Sequence, residues 1–434
     1  MNSDTAYNEA FVWIWLPGAV EPVVAGKLTR DGEHLLFNYG KSYLARDNAI
    51  PLYVPELPLQ SGLIAPLPGL HMPGCIRDAS PDAWGRRVII NRKLGVHGTK
   101  ADPAQLDELT YLLESGSDRI GALDFQVSPT EYAPRATGTA SLRQLVQAAD
   151  LVEKGLPLSP ALDQALQHGT SLGGARPKAR IDDGDRKYIA KFSSTTDLYN
   201  VVKAEFIAMR LAALCGLNVA RVSLTRSLNK DVLLVERFDR EHSKAGWRRK
   251  PMVSALTLLA LDEMMARYAS YEDLAELIRH RFDHASATLR ELFSRLVFNI
   301  LCGNTDDHAR NHAAFWDGQT LSLTPAYDIC PQNRTGREAT QAMLIAGGDR
   351  MSRISSCLAA AGHFLLSREE AIAIVEQQIR CIIGRWDAVC AEAGFAQSDR
   401  AFLWGRQFLN PYAFEDLRGN AVGLKVLADI ARAG

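Results

Sequence analysis

The stretch that most constrains the fold of this chain runs from residue 299 to residue 331, where a polar loop follows a strongly apolar segment. Apolar residues over 286–301 recur at the spacing of one buried helix face, which predicts a helix that ends at Gly303. Directly after it come the polar side chains Asn304, Asp306, Asp307, His308 and Asn311. A surface turn does not need so many hydrogen-bonding groups, so this loop is the first candidate site.

A short β-hairpin connects the loop to a further aspartate. Two β-prone runs at 313–316 and 321–323 flank Asp317-Gly318, a dipeptide suited to the positive φ angles of a tight turn. The hairpin leads directly to Asp328. Kinase-type phosphotransferases present a base, an amide five residues later and an aspartate after a β-ribbon in this order.

That order predicts Asp306 as the base and Asn311 and Asp328 as magnesium ligands. An alcohol that attacks a γ-phosphate needs a carboxylate to orient it and accept its proton, while Mg²⁺ prefers oxygen ligands and neutralises the triphosphate. Two other interpretations stay open. The side chains could simply cap and turn the chain, or Asp306, Asp307 and His308 could form the metal cluster of a hydrolase.

Composition narrows the class of protein. The 434 residues exceed one ordinary core, which predicts two or three subdomains. The formal net charge of −1 argues against binding DNA or an anionic membrane through bulk electrostatics. The N-terminal apolar run of six residues is too short for a signal peptide or a membrane span. The seven cysteines include no C-x-x-C pair, so we expect buried thiols in a cytoplasmic protein without a membrane partner.

The first part of the chain reads as a small sheet followed by helices. Short β-prone runs occur at 11–16, 23–28 and 35–39. The Ser-Pro-Asp sequence that follows predicts a helix N-cap at Ser80 and a helix to about Leu94. Arg86 and Arg87 on that helix either lie on a capped surface or meet a partner. Further on, the pattern predicts helices at 102–114 and 141–154 and a strand at 122–127.

A glycine-rich stretch, GTSLGGARPK at 169–178, is a candidate phosphate loop. Gly173 and Gly174 would let backbone amides approach phosphate oxygens, and Ser171 and Lys178 add donors. No Gly-Lys-Ser/Thr opens a helix here, so this is not a Walker A loop. Taken alone, a glycine pair is more often a turn.

The residues after this loop strengthen the nucleotide interpretation. Strands at 179–181 and 187–192 form a predicted hairpin whose second arm, YIAKF, places Lys191 among apolar residues. A buried ammonium group needs a counter-charge, which ATP phosphates could supply. A helix predicted over 200–215 carries Glu205, which either steadies that lysine, as in protein kinases, or is a solvated helix charge.

The hinge of a kinase would lie next. Strands are predicted at 219–225 and 232–235, and the second leads into Glu236-Arg237-Phe238. We assign Glu236 and Phe238 to adenine binding, and His308 of the polar loop to nucleotide binding as well.

The second half is predicted to be helical, at 254–266, 271–280, 286–301 and 367–393. The fold class is therefore α+β, with a bilobal kinase-like plan in which a small β-rich N-terminal subdomain precedes a helical C-terminal lobe. We divide the chain into 1–100 (sheet and helix), 101–250 (phosphate loop, lysine and hinge) and 251–434 (helical lobe with the catalytic loop). Residues 329–350 carry little periodicity and resemble an activation segment in position.

Five motifs in this order, SLGGARPK, YIAKF, VERFDR, GNTDDHARN and LTPAYDICP, closely resemble the HipA family of toxin kinases. The resemblance implies a Ser/Thr protein kinase dependent on ATP and Mg²⁺, with Asp306 as catalytic base, Asn311 and Asp328 as metal ligands, and Lys191 at the ATP phosphates. It also implies autophosphorylation of Ser171, which would repel ATP and switch the enzyme off.

The resemblance further implies partners. Family members pair with a HipB-like helix-turn-helix antitoxin, which brings operator DNA, and the best-known protein substrate class is aminoacyl-tRNA synthetase. An alternative function is a non-catalytic kinase-shaped subunit that binds the antitoxin and acts in operon repression. The intact Asp306, Asn311 and Asp328 argue against pure scaffolding, because binding alone does not require them.

Overall fold

The computed structural model describes residues 7–433, apart from 96–101, 136–139, 155, 157, 160, 163–175, 194–196, 198 and 335. The chain divides into two compact units. Unit 1 comprises Met1–Thr196, Thr225–Val253 and Phe315–Gln319, and unit 2 comprises Asp197–Leu224, Ser254–Ala314 and Thr320–Gly434. Each unit is thus assembled from segments that are distant in sequence. The division of the chain at residues 100 and 250 remains a prediction.

The N-terminal part of unit 1 is an antiparallel sheet with the strand order β4-β3-β2-β1-β5. Its strands are β1 (Glu9–Ile14), β2 (Val23–Asp31), β3 (His34–Tyr39), β4 (Leu63–Ile64) and β5 (Leu123–Gln126). Two short helices, α1 (Lys41–Leu44) and α2 (Gly74–Arg77), lie between β3 and β5 in the chain. The predicted sheet is confirmed, because apolar side chains alternate along these strands and pack on one face.

Helix α3 (Ala83–Leu94) begins two residues later than predicted. The N-cap at Ser80 is wrong: Asp82 caps the helix, and its Oδ1 accepts a hydrogen bond of 3.0 Å from the Gly85 amide. The helix is not a surface helix, since Trp84 is fully buried in the core. Arg86 binds Glu108 through two hydrogen bonds of 2.6 and 2.7 Å, so this arginine has an intramolecular partner.

The predicted helix over 102–114 is broken in two. A 3₁₀ turn at Pro103–Gln105 is capped by Asp102, and α4 (Glu108–Glu114) is capped separately by Asp107. Two aspartate caps in succession favour two short elements over one helix. The next helix, α5 (Leu142–Glu153), is as predicted and begins with a capping box formed by Ser141 and Gln144.

A second antiparallel sheet in unit 1 has the strand order β6-β7-β9-β8. Its strands are β6 (Lys178–Asp183), β7 (Arg186–Phe192), β8 (Val222–Ser227), whose last part belongs to this unit, and β9 (Lys230–Glu236). Ala179 pairs with Ala190, and both are buried in a cluster that includes Trp84 and Phe192. The hairpin β10 (Arg240–Ser243) and β11 (Gly246–Arg249) follows, then β12 (Met252–Ser254).

Unit 2 is mainly helical. Its helices are α6 (Val201–Leu214), α7 (Ala255–Leu258), α8 (Tyr271–Arg281), α9 (Ala285–Cys302), α10 (Ile354–Ala360), α11 (Arg368–Glu392), α12 (Gln397–Leu403) and α13 (Val422–Ala433). The predicted helix over 254–266 is wrong beyond Leu258, because Ala260 adopts a left-handed φ of 52° and a 3₁₀ turn at Glu263–Tyr268 follows. Among the described residues, no helix is both long enough and apolar enough to cross a bilayer.

Candidate active site

The polar loop begins where a helix with a buried apolar face ends. The apolar face of α9 that the sequence predicts is buried, and the helix ends at Gly303 with a left-handed φ of 74°. A Cβ atom at this position would lie 2.8 Å from the backbone oxygen of Gln407. Glycine is therefore required here both for the backbone conformation and for the close approach. The loop thus starts from a fixed point.

Neighbouring segments hold the first residues of the loop. The side-chain amide of Asn304 donates to Asn299 Oδ1 at 3.0 Å, and its backbone amide donates to the Asn299 carbonyl at 2.8 Å. From the other side, Gln341 Nε2 donates to the Asn304 carbonyl at 3.1 Å, and the Ala342 amide donates to the Thr305 carbonyl at 3.1 Å. Residues 341–342 of the segment after Asp328 therefore stabilise the conformation of the loop.

Asp306 and Asn311 are connected within the loop. The Asp306 side chain is exposed, whereas Asn311 is buried. Asn311 Nδ2 donates a hydrogen bond of 3.2 Å to the Asp306 backbone oxygen. Because the amide nitrogen is used in this way, the Asn311 Oδ1 atom remains as the side chain's acceptor, which suits an oxygen ligand of a hard cation.

Asp328 follows the hairpin formed by β13 (Ala313–Trp316) and β14 (Leu321–Leu323), as predicted. It adopts a left-handed φ of 60°, which aspartate tolerates better than most residues. Its neighbour Tyr327 donates a hydrogen bond of 2.7 Å from its hydroxyl to the Arg310 carbonyl. This bond ties the segment that carries Asp328 to the loop that carries Asp306.

The charges of these aspartates interact. Burial of the carboxyl raises the pKa of Asp306, although the side chain as a whole stays exposed. The His308 charge lowers this pKa, and the negative charges of Asp328 and Asp307 raise it further. No described residue donates a hydrogen bond to the Asp306 carboxylate. Apart from the opposing His308 charge, the charges that act on the Asp306 carboxyl are negative, which is an electrostatic environment that a cation would complete.

Asp307 points away from this charge and into the interior. Its carboxylate forms a short hydrogen bond with the Tyr271 hydroxyl and an ion pair of 3.0 Å with His312 Nε2. Burial alone would raise the pKa of Asp307, but the His312 charge and the hydrogen bonds from His312 and Tyr271 lower it below its usual value. A hydrolase cluster of Asp306, Asp307 and His308 does not fit this arrangement, because Asp307 is already engaged.

Two lysines lie side by side in unit 1. Lys178 of β6 pairs in register with Lys191 of β7, so both side chains point to the same face of the sheet. Lys178 is only 2% exposed, and its Nζ lies 3.3 Å from Asp82 Oδ2 at the start of α3. Asp82 supplies a counter-charge to Lys178, and two lysines on one face suit the binding of an anion such as a phosphate there.

The motif VERFDR divides into two faces. Glu236 and Phe238 are half-buried; Glu236 lies 3.8 Å from Arg186, and the Phe238 ring packs at 5.9 Å against Phe315. Arg237 and the two residues after Phe238 are instead buried. The side chains from Glu236 to Asp239 thus alternate as expected for an extended chain, and Arg240 is buried as well.

The buried residues of this motif join an ionic cluster around Asp118. Arg240 Nη2 and Arg237 Nη1 contact Asp118 Oδ1 at 2.7 and 3.1 Å. Arg180 and Lys187 contact Asp118 Oδ2 at 3.1 and 3.3 Å. The cluster therefore connects the loop before β5 with strands β6 and β7 and with the end of β9.

A second aspartate completes this cluster. Asp239 receives two hydrogen bonds from Arg237 at 2.8 and 2.9 Å and one from the Gly121 amide at 2.8 Å. Arg240 Nη1 also donates to Asp239 Oδ2 at 3.0 Å. Each buried charge here has an opposite charge within hydrogen-bonding distance, as burial requires.

Comparisons with known proteins decide the family. The profile of the HipA-like C-terminal domain matches residues 170–386, half of the chain, and the profile of the HipA N-terminal domain matches residues 16–126. The chain belongs to the HipA family of toxin kinases. Its enzyme class is that of the serine/threonine kinases, which confirms the prediction from the sequence.

Three HipA relatives give the extent of the sequence similarity. "Putative kinase Y4mE" of Sinorhizobium fredii is 27% identical over 344 residues, 73% of this chain and 76% of that protein. The serine/threonine-protein kinase toxin HipA of Shewanella oneidensis is 26% identical over 186 residues, 37% of this chain and 42% of that protein. A "Putative kinase" of Haemophilus influenzae is 25% identical over 184 residues, 38% of this chain and 53% of that protein. The alignment thus spans about half the length of the latter two relatives.

A solved structure shows the fold. The HipA chain of the Shewanella oneidensis MR-1 toxin–antitoxin complex of HipA, HipB and operator DNA matches with a TM-score of 0.67 at 19% identity. The match covers 98% of this chain and 96% of that chain. The α+β, bilobal kinase-like fold class predicted from the sequence is confirmed by this similarity.

The predicted HipA site residues fall into three groups. Asp306, His308, Asn311 and Asp328 lie together in unit 2, and His308 Nδ1 is buried without a hydrogen-bond partner among the described residues. Another group, Lys178, Lys191, Glu236 and Phe238, lies in unit 1. The loop residues Ser171, Gly173 and Gly174 lie outside the described residues. Their predicted roles, and those of the other two groups, remain predictions.

The sequence interpretation missed the buried half of VERFDR and the trio of Tyr271, Asp307 and His312. Strand periodicity could have found the first set, because it places Arg237 on the face opposite Glu236. No comparable signal marks the trio, since Tyr271 is 36 positions from Asp307. Where histidine, cysteine, aspartate and glutamate side chains are described, they form no group of three that could hold a metal. A kinase metal site needs only one such carboxylate, with an amide and phosphate oxygens completing it.

Proposed function

We propose that this chain transfers the γ-phosphate of ATP to a serine or threonine hydroxyl of a protein. Asp306 orients the acceptor hydroxyl and takes its proton. Asn311 and Asp328 provide oxygen ligands for Mg²⁺, which when bound neutralises the charge of the triphosphate. Two observations support this proposal: Asn311 Nδ2 donates a hydrogen bond of 3.2 Å to the Asp306 backbone oxygen, and Asp328 lies close enough for its charge to add to the effect of burial in raising the pKa of Asp306.

The nucleotide contacts are proposed from both sheet and loop. Lys178 and Lys191 bind phosphate oxygens, a role supported by their shared face on β6 and β7. His308 contributes a further donor or acceptor through its buried Nδ1, and Glu236 and Phe238 bind and cover adenine. The loop amides of Gly173 and Gly174 hold the phosphates, with Ser171 beside them.

We further propose the biological setting that the family suggests. The chain acts as the toxin of a type II toxin–antitoxin module in the cytoplasm, paired with a HipB-like helix-turn-helix antitoxin that brings operator DNA. Support comes from the similarity to the HipA chain that was solved with HipB and operator DNA. The protein substrate belongs to the translation machinery, with aminoacyl-tRNA synthetases as the first class to test.

The test uses labelled ATP, Mg²⁺ and a cell lysate, with Asp306→Ala beside the parent protein. We expect label on a lysate protein with the parent and none with the variant. Asp387→Ala is the matched control, because Asp387 is an exposed aspartate of the same unit on α11. Free phosphate without protein label would favour a hydrolase, and neither product with antitoxin binding retained would favour the non-catalytic subunit.

Regulation through Ser171 has its own test. We expect mass spectrometry of the parent, incubated with ATP and Mg²⁺, to find phosphate on Ser171. The dianionic phosphate group would then repel ATP from the phosphate loop and lower the activity. Ser171→Ala should keep its kinase activity over time, whereas the parent should lose it. Phosphate found only at other positions would contradict this part of the proposal.

A further inference from the structure

Three polar side chains meet beneath the catalytic loop and take no part in the proposed transfer step. Tyr271, Asp307 and His312 are 0%, 2% and 3% exposed. The Tyr271 hydroxyl forms a short hydrogen bond with Asp307 Oδ2 and lies 3.2 Å from His312 Nε2. The same His312 nitrogen lies 3.0 Å from Asp307 Oδ1, which closes a triangle of polar contacts. We call these three residues the anchor.

Two of the anchor residues are sequence neighbours of the proposed catalytic base and of a proposed magnesium ligand. Asp307 directly follows the base Asp306, and His312 directly follows the metal ligand Asn311. When one residue of a pair is fixed in the interior, the backbone and side chain of its neighbour lose most of their freedom to shift. Fixing 307 and 312 to each other therefore fixes the separation of 306 and 311.

The third member ties this pair to a rigid element. Tyr271 is the first residue of α8, and its backbone amide donates to the Leu344 carbonyl at 2.9 Å. On the other side, the carbonyl of His312 accepts a hydrogen bond of 2.8 Å from the Ala255 amide at the start of α7. The anchor is thus held by two helices and by the segment near residue 344.

We propose that Tyr271, Asp307 and His312 are positioning residues that set the distance between the catalytic base and the magnesium ligand of this kinase. This inference rests on the function proposed above for Asp306 and Asn311. The anchor touches no reacting atom, so its loss should leave binding of ATP itself intact. Loss should instead lower kcat, since phosphate transfer requires the correct loop geometry.

Tyr271→Phe is the sharpest variant because it removes one hydroxyl and keeps the ring in the core. We expect kcat to fall about tenfold to a hundredfold, the range expected for a displacement near one ångström, with the KM for ATP changed less than threefold. We also expect amide hydrogen exchange over residues 304–312 to become at least tenfold faster, a readout that does not require activity.

Gln378→Met is the matched control. Gln378 is 1% exposed in the same unit, and its Nε2 donates one hydrogen bond of 2.9 Å to the Ser294 carbonyl. Like Tyr271→Phe, the Gln378→Met substitution removes one buried side-chain hydrogen bond, but this bond lies outside the catalytic loop. We expect normal kcat and normal exchange over 304–312 in this variant. Equal kcat and equal loop exchange in Tyr271→Phe and Gln378→Met would overturn the proposal, because the anchor would then be an ordinary buried contact.

A double-variant comparison tests whether the three residues act as one unit. If they do, Asp307→Asn combined with Tyr271→Phe should lower kcat no further than Asp307→Asn alone. Multiplicative losses would contradict a single anchor. If the parent protein transfers no phosphate at all, the proposed kinase function fails. The exchange measurement still decides on the anchor, since faster exchange confined to 304–312 supports it and unchanged exchange rejects it.

Discussion

Two aspartates, one in each unit, show how differently the same side chain can be used. Asp118 in unit 1 is surrounded by cations: Arg180, Lys187, Arg237 and Arg240 all lie within 3.3 Å of its carboxylate. Burial would raise the pKa of Asp118, but the charges of the neighbouring arginines hold it well below its usual value. Asp306 in unit 2 is exposed and has acidic neighbours, and its pKa is raised.

The comparison separates a structural charge from a reactive one. The charge of Asp118 is neutralised within the fold, so it contributes to stability and has no capacity left for a ligand. The charge of Asp306 is offset only in part, by His308, so the fold bears a small unfavourable energy that a bound cation and substrate would relieve. A reactive carboxylate can thus be recognised by a charge that the neighbouring side chains offset only in part.

The largest expected effect is on the rate of phosphate transfer. Asp306→Asn removes the proton acceptor, and we expect the rate to fall by about 10²- to 10⁴-fold, the range for loss of a general base. The same variant should melt at the same temperature as the parent or slightly higher, because the repulsion with Asp328 is removed. Single-turnover kinetics and differential scanning calorimetry measure the two quantities. A large loss of stability would contradict the assignment of Asp306 as a reactive charge.

Asp118→Asn should show the reverse. This change removes one of the two carboxylates that neutralise the buried Arg237 and Arg240, and since Asp239 remains we expect the free energy of unfolding to fall by about 3 kcal/mol, the lower end of the range for a broken buried ion pair. Chemical denaturation gives this value. Asp182→Asn is the matched control, since Asp182 also contacts Arg180 and Lys187 but is 38% exposed. It should lose less than about 1 kcal/mol. Equal losses would mean that burial does not set the strength of this cluster.

The sequence predicted what depends on neighbouring residues. The helix before the polar loop, the hairpin after it and the order Asp306, Asn311, Asp328 all follow from local periodicity and turn chemistry. The Ser80 cap failed for a local reason as well. Asp82, two residues after Ser80, caps the helix instead, and Trp84 of the first helical turn is packed in the core.

The sequence could not predict what depends on distant residues. The partners of Asp118 are 62 to 122 positions away from it in the chain. In one sequence, nothing distinguishes an arginine that pairs with Asp118 from an arginine that remains in solvent. The anchor residue Tyr271 was hidden for the same reason. Ion pairs and hydrogen bonds between residues distant in sequence depend on how the chain packs, and local sequence patterns do not predict them.

The acid dependence of stability gives a smaller effect that sharpens the comparison. The pKa of Asp118 is lower in the folded state than in the unfolded chain, so its contribution is present above the ordinary aspartate value of about 4 and is lost as the pH falls below it. Lowering the pH below about 4 should therefore destabilise the parent more steeply than Asp118→Asn. The difference in slope should approach one proton, or about 1.4 kcal/mol per pH unit.

Denaturation curves measured from about pH 5 to about pH 2.5, on both sides of the ordinary aspartate pKa, give these slopes. Asp306→Asn serves as the comparison, because the pKa of Asp306 is raised and the group carries no stabilising charge to lose in acid. Its acid slope should be no smaller than that of the parent. Parallel curves for the parent and Asp118→Asn would show that the arginines do not hold Asp118 ionised.

The smallest effect comes from an ion pair without burial. Lys154 contacts Asp150 at 2.6 Å one helical turn away, but its side chain is 52% exposed. We expect Lys154→Ala to lower the free energy of unfolding by only about 0.3–0.5 kcal/mol, and the difference should disappear in 1 M salt, where charges at the surface are screened over about 3 Å. The Asp118→Asn loss should persist in the same salt, because its partners exclude water. If 1 M salt abolished the losses of stability in Lys154→Ala and Asp118→Asn alike, the Asp118 charges would be screened as surface charges are. The cluster around Asp118 would then behave as a surface network and not as part of the core.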